Sequence, residues 1–130
     1  MRAPRFTLTL STLALTSVAL LASPALADEV TGTWVRDTGA SHVKFGPCGG
    51  AMCGTIAWLK PGVETPAKLG QKIFYDMKPA GAGAWSGTAF NPEDGKTYTG
   101  KMTLAGGTLT TQGCIAGGLI CKSTTWTKVK

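Results

Sequence analysis

The chain has 130 residues, and 13 Lys and Arg against 7 Asp and Glu give it a net charge of +6. Arg36 is the only arginine after residue 5 and the lysines are scattered, so nucleic acid is not an expected partner, because nucleic-acid binding usually needs a clustered basic patch. Four Trp argue against disorder, and the 18 glycines, which all follow residue 27, favour short strands between tight turns over helices.

The chain opens with a predicted secretory signal peptide, residues 1–27. Arg2 and Arg5 give it a positive start, residues 8–22 form an apolar run, and residues 25–27 fit an A-x-A cleavage site. The run is shorter than the ~20 residues of a spanning helix, so a retained anchor is the less favoured alternative and no stable membrane insertion is expected. Cleavage after Ala27 would leave residues 28–130 as a single β-barrel domain in the periplasm or secreted.

Eight short runs rich in Thr, Val, Ile and aromatic residues are predicted as strands, each bounded by turn signals. They are Thr31–Arg36, Ala40–Gly46, Met52–Leu59, Leu69–Met77, Ala84–Phe90, Lys96–Leu104, Thr108–Cys114 and Leu119–Val129. Most connections are short, as antiparallel neighbours require, and no helical apolar stripe is present, so no substantial helix is predicted. The longest break, residues 60–68, contains two prolines and is predicted as a lid or crossing loop.

The predicted fold class is all-β, an eight-stranded antiparallel up-and-down barrel, because closure leaves no exposed sheet edge. Glycines within the predicted strands (Gly54, Gly70, Gly87 and Gly100) fit the sharp bends of a small closed sheet. A barrel of eight strands has an interior just wide enough for side chains or one small ligand. A two-sheet sandwich is the alternative.

The four cysteines are expected to form disulfides, since export brings the chain to an oxidising compartment. Three connectivities are possible, and we favour Cys48–Cys53 with Cys114–Cys121 because each pair straddles a predicted hairpin turn. A redox dithiol usually has C-x-x-C spacing, and zinc prefers pairs two to four residues apart. The C-x4-C and C-x6-C spacings of this chain fit a redox dithiol and a zinc site poorly.

Residues that could carry catalysis are sparse. His42 is the only histidine, and the adjacent Glu93 and Asp94 lie in a predicted turn, Asn91–Lys96. The sequence has no nucleophile elbow, phosphate loop or dinucleotide fingerprint. We therefore predict no enzyme, no cofactor and no metal site; a hydrolase or isomerase would need His42 and carboxylates to converge in a cleft.

The start and end of the predicted barrel carry a motif pair. Gly32-Thr33-Trp34 resembles the G-x-W that plugs the barrel base in the lipocalin superfamily, where a basic residue of the last strand packs over the Trp. Here Lys128 would take that place and contact Trp34 through a cation–π interaction. The residue is usually Arg in lipocalins.

A fuller set of motifs resembles an exported bacterial family known as domain of unknown function 2147. The matching segments are Gly32–Trp34, Val43–Phe45, Cys48–Gly49, Cys53–Lys60, Trp85–Gly87, Asn91–Tyr98, Gly113–Cys114, Cys121 and Trp126–Thr127. The resemblance implies a lipocalin-like barrel in the periplasm and brings no catalytic residues. The 60–68 loop is shorter than the family's and lacks its Asp/Asn/Arg-rich segment.

The sequence is compatible with two functions. The first is binding of a small hydrophobic or amphipathic ligand inside the barrel, with Trp58, Tyr75, Trp85 and Tyr98 as candidate ligand-binding residues, because Tyr and Trp offer an apolar face with one polar group. These four side chains could instead simply fill the core. The second is a non-enzymatic envelope module that binds or inhibits a protein partner through its loops. The sequence names neither the ligand nor the partner.

Overall fold

The computed structural model describes residues 29–129 together with residues 3, 4, 7, 9, 11, 12 and 27. Nearly all of the predicted signal peptide lies outside these residues. Each strand pairs with the next in antiparallel orientation, and the first also pairs with the last. The strands are β1 (Gly32–Arg36), β2 (Ser41–Cys48), β3 (Ala51–Leu59), β4 (Lys72–Pro79), β5 (Ala84–Asn91), β6 (Lys96–Ala105), β7 (Thr108–Ile115) and β8 (Ile120–Lys128).

The fold is therefore a closed eight-stranded up-and-down barrel, as predicted, and the sandwich alternative is wrong. A short 3₁₀ turn, Ala116–Gly118, joins β7 to β8. Among the described residues, no helix has the length and apolar character to cross a membrane.

The fourth strand begins three residues later than predicted. Gly70 lies in a turn with φ +81°, a left-handed conformation that favours glycine. Its N–H donates to the Ile56 carbonyl (2.8 Å), and the Ile56 N–H donates to the Gln71 carbonyl (2.9 Å). Gly70 is thus a turn residue and not a bend within a strand.

One bulge decides which side chains face inward near the end of β3. His42 is paired with Trp58 but Val43 is paired with Ile56, so Ala57 is an extra residue opposite β2. Side chains alternate between the two faces of a strand, and the extra residue shifts that alternation. Ile56 and Leu59 consequently line the interior, whereas Trp58 lies on the outer face.

A second bulge lies in β4, where Tyr75 pairs with Thr88 and Lys78 with Ser86. Three steps along β4 thus oppose two along β5, and Asp76 takes a positive φ of 53°. The backbone of β4 comes so close that a Cβ added to Gly87 would lie 2.5 Å from the Asp76 carbonyl oxygen. Glycine is required there by close approach of two strands.

The barrel is packed solid at one end, which we call the closed end. A helical turn preceding β1 covers it: Val30 is fully buried, and its carbonyl accepts a 2.8 Å hydrogen bond from Nε1 of Trp34. The buried cluster of this interior is Val30, Trp34, Val43, Phe45, Met52, Phe74, Met77, Trp85, Ala89, Met102, Leu109 and Trp126. The opposite end, where the β1–β2, β3–β4, β5–β6 and β7–β8 connections lie, is the open end.

Candidate functional site

The candidate site is a cavity of about 500 Å³ inside the open end of the barrel. This volume falls within the range of pockets that enclose small ligands. The strand side chains that define it are Arg36, Ile56, Phe74, Tyr98, Thr111 and Trp126. Apolar and polar groups thus line the same cavity.

The boundary between the cavity and the packed core is fixed by a buried hydrogen bond. Trp126 Nε1 donates to the Thr111 hydroxyl at 2.9 Å, and both residues are at most 3% exposed. Trp126 is in register with Leu109 on one side and Arg36 on the other. Because Leu109 is fully buried in the core, Trp126 marks the level at which packing gives way to open space.

Arg36 is the basic group of the inner wall. It follows Trp34 by two residues in β1, so both side chains point inward. Its Nε is buried and has no hydrogen-bond partner among the described residues. A buried donor without a partner is rare in native proteins and calls for a specific explanation.

The rim of the cavity carries carboxylates. Glu93 and Asp94 belong to the β5–β6 turn, and Glu64 to the β3–β4 loop. The Tyr98 hydroxyl donates a short hydrogen bond to Asp94, and the Lys96 N–H donates another at 2.9 Å. These bonds, led by the one from Tyr98, lower the pKa of Asp94, and the same contact raises the pKa of Tyr98.

The β3–β4 loop lies over the mouth of the cavity. Val63, Glu64 and Thr65 line the cavity, and the Thr65 hydroxyl donates to Glu93 Oε1 at 2.6 Å. This bond connects the loop to the β5–β6 turn, 28 residues further along the chain. The segment predicted as a lid or crossing loop is therefore in contact with the cavity.

Of the four aromatic residues expected to bind ligand, Tyr98 lines the cavity and the other three do not. Trp58 is turned outward by the bulge at Ala57, and its ring lies 4.5 Å from that of His42. Tyr75 follows the inward Phe74 and so faces the other side of β4. Trp85 points inward but is buried in the core cluster.

The remaining sequence-predicted residues lie away from the cavity or at its edge. Lys128 Nζ lies 5.7 Å from the Trp34 ring centroid at the closed end. Both favoured disulfides, Cys48–Cys53 and Cys114–Cys121, are formed and leave no free cysteine. They bridge the β2–β3 hairpin at the closed end and the β7–β8 hairpin at the open end, and they indicate an oxidising environment.

Catalytic groups do not converge on the cavity in the part of the chain that the structure describes. The His42 ring contacts that of Trp58 at the outer surface in a tilted arrangement, apart from the rim carboxylates. The described residues also contain no group of three or more His, Cys, Asp or Glu that could hold a metal ion.

Sequence reasoning missed Arg36, Thr111 and Trp126 as cavity residues. Arg36 could have been found, because it is the only arginine beyond residue 5 and lies two positions after the expected barrel-base tryptophan. The inward direction of Trp126 follows from its pairing with Arg36, and that pairing needs the closed sheet.

Comparison with known proteins agrees with this geometry. The family model described as "Uncharacterized protein conserved in bacteria (DUF2147)" matches residues 32–128, the whole barrel from first to last strand. Protein HP1028 from the human pathogen Helicobacter pylori, described as belonging to the lipocalin family, has a similar structure with a TM-score of 0.63. The two chains are 18% identical over 78% of this chain and 83% of that one, a likeness of fold. A search of curated proteins found no match.

Proposed function

The chain belongs to the DUF2147 family of uncharacterised bacterial proteins. We propose that it is a non-enzymatic binding protein that holds one small apolar or mixed ligand inside the barrel. The observation that carries the proposal is the 500 Å³ cavity bordered by both apolar and polar side chains. A barrel that served only as a rigid scaffold could fill this space with larger side chains and gain packing.

The proposal includes export. The signal peptide would be cleaved after Ala27, and the binding protein would act in the periplasm or after secretion. Two disulfides support this, because such bonds persist in oxidising compartments. The intact mass of protein recovered from the cell envelope tests it: export predicts a chain beginning at Asp28 with both disulfides formed.

Native mass spectrometry of protein purified from the periplasm without detergent tests ligand binding. We expect a fraction of molecules to carry one additional small mass, removed on unfolding. Wild-type protein is compared with Ala89→Leu, a variant that adds bulk to a cavity-lining position of β5. A ligand mass that persists unchanged in the filled variant would place binding elsewhere, and no ligand mass in either protein would argue against the proposal.

A second candidate function is favoured by the tip of the β7–β8 hairpin. Ile115, Leu119 and Ile120 are 49%, 87% and 59% exposed beside the Cys114–Cys121 bridge. Adjacent exposed aliphatic side chains on a disulfide-bridged hairpin are suited to an apolar groove on a protein partner. A photocrosslinker at position 119 should then capture one defined protein in intact cells, while the same group at the exposed Thr125 should not; equal labelling from both positions would reject this function.

A further inference from the structure

The strongest unexplained feature of the cavity is the charge on Arg36. The guanidinium belongs to the last residue of β1, beside the cavity-lining Trp126, and its Nε is buried without a partner among the described residues. Removing a guanidinium nitrogen from water costs free energy unless an acceptor replaces the water. Arginine also cannot lose its proton to avoid that cost.

A second donor lines the same cavity. The Thr111 hydroxyl accepts the hydrogen bond from Trp126 Nε1, and a hydroxyl that accepts one bond still has its own hydrogen to donate. Arg36 and Thr111 are therefore two cavity residues whose unused capacity is for donating. That combination suits an oxygen acceptor that carries negative charge.

The other charges near the cavity lie at its rim. Lys122 is exposed at the beginning of β8, and Glu64, Glu93 and Asp94 are on the loops of the open end. Glu93 already accepts from Thr65, and Asp94 from Tyr98. Arg36 is thus the positive charge inside the cavity, and the rim where a ligand enters carries three carboxylates and one ammonium group.

The wall formed by β3 to β5 is apolar. Ile56, Ile73 and Phe74 line the cavity there together with Ala89. In a ring of eight strands this wall faces β1 and β8, which carry Arg36 and Trp126. A ligand that satisfied both walls would have a charged head on one side and a hydrocarbon part on the other.

We infer that the cavity selects an amphipathic monoanion whose carboxylate head binds Arg36 and whose apolar part lies against the β3–β5 wall. This inference rests on the proposed binding function and names the class of ligand. A molecule with a second anionic group at its outer end would place that group beside the rim carboxylates, so dianions are disfavoured.

Calorimetric titration with three probes of equal chain length tests the inference: octanoate, 1-octanol and octanedioate. Because a hydrogen bond to a charged group contributes more than a neutral one, wild-type protein should bind octanoate about 10- to 100-fold more tightly than 1-octanol. Octanedioate should bind more weakly than octanoate. Arg36→Met should reduce the preference for octanoate to within about threefold, and Lys122→Met, which removes the exposed rim cation, should keep it.

The ligand class and the binding function itself are contradicted by different outcomes. Equal affinity of wild-type protein for octanoate and 1-octanol, or a preference that survives Arg36→Met, would overturn the role of Arg36 and leave ligand binding standing. Failure of all three probes to bind would count against the proposed function itself. If Arg36→Met does not fold, Arg36→Lys replaces it: a single ammonium lacks the planar fork, so the preference should fall but not disappear, and an unchanged preference would contradict the inference.

Discussion

Lys128 Nζ lies 5.7 Å from the centroid of the Trp34 ring and donates a 2.6 Å hydrogen bond to the Glu29 carbonyl. One side chain of the last strand thus connects the first strand to the turn that covers the closed end. The carbonyl oxygen accepts a charge-assisted hydrogen bond, and the face of the indole ring attracts the cation. The contact joins the first and last strands, β1 and β8, at the point where the sheet closes.

Loss of this cation should weaken the closed end. We expect Lys128→Met to lower the free energy of unfolding by about 1–2 kcal/mol, from the cation–π contact and the charged hydrogen bond together. Lys128→Arg should retain most of the stability, and Lys78→Met, at an exposed position of β4, should change it little. Urea unfolding followed by far-ultraviolet circular dichroism measures all three; equal effects of the two Met variants would refute the role of Lys128.

The approach of β5 to the β4 bulge leaves no room for a side chain at Gly87. A Cβ there would lie 2.5 Å from the Asp76 carbonyl oxygen, so Gly87→Ala must displace backbone and should cost about 2–3 kcal/mol. Gly46→Ala is the matched control in β2, where a Cβ would meet nothing within 4 Å. Thermal unfolding should separate the two variants clearly, and a Gly87→Ala protein as stable as Gly46→Ala would contradict the reported register.

The hydrogen bond from Thr65 to Glu93 should slow opening of the loop over the mouth. Glu93→Ala removes the acceptor and leaves in place the second hydrogen bond of the Thr65 hydroxyl, which accepts from the Ala67 N–H at 3.1 Å. We expect amides of residues 62–69 to exchange about fivefold faster in this variant, as loss of one modest hydrogen bond predicts. Hydrogen exchange with mass spectrometry measures the rates. Thr103→Val, at an exposed position of β6, should leave them unchanged; identical rates in both variants would mean that the bond does not restrain the loop.

The contact between Tyr98 and Asp94 predicts a pH dependence. The pKa of Asp94 is lowered from the ordinary 3.8, so its contribution to stability is present above that pH and is lost as pH falls through the lower native pKa. The pKa of Tyr98 is raised from 10.0, so its contribution is present below that pH and is lost as pH rises through the higher native value. Tyr98→Phe should therefore raise the pKa of Asp94 toward 3.8.

Carbon-13 NMR titration of the Asp94 carboxyl measures this shift. Tyr75→Phe, which changes a tyrosine on the outer face of β4, serves as the control and should leave the titration curve of Asp94 unchanged. An Asp94 pKa that does not move in Tyr98→Phe would show that the Lys96 backbone bond and charge, and not the tyrosine, set it.

The strand order and most strand boundaries follow from local sequence. Each turn has a glycine or proline signal, and each strand pairs with the next one along the chain. The pairing of β1 with β8, which closes the barrel, was the one long-range contact left to predict. The N-terminal motif anticipated the burial of Trp34 because it is a local pattern with a partner at the other terminus. The local sequence did not identify Gly70 as a turn residue, because a glycine in this segment is compatible with either a strand or a turn.

The cavity was harder to predict because a single extra residue reverses the inward and outward faces. Trp58 would face inward in an unbroken β3, and the bulge at Ala57 turns it to the surface. Bulges are set by pairing with the neighbouring strand and carry no clear sequence signal here. Trp85 and Tyr98 both point inward, and only their height along the barrel decides that one packs the core and the other meets the cavity.

An NMR titration of the four tryptophan indole N–H groups with octanoate tests whether a ligand binds inside the barrel. The Trp126 resonance is expected to shift in a saturable manner, because its ring borders the cavity. The Trp34 resonance should stay in place, since its N–H is bonded to Val30 beneath the core. A spectrum in which Trp126 does not respond, or in which only the outward Trp58 moves, would contradict binding inside the barrel.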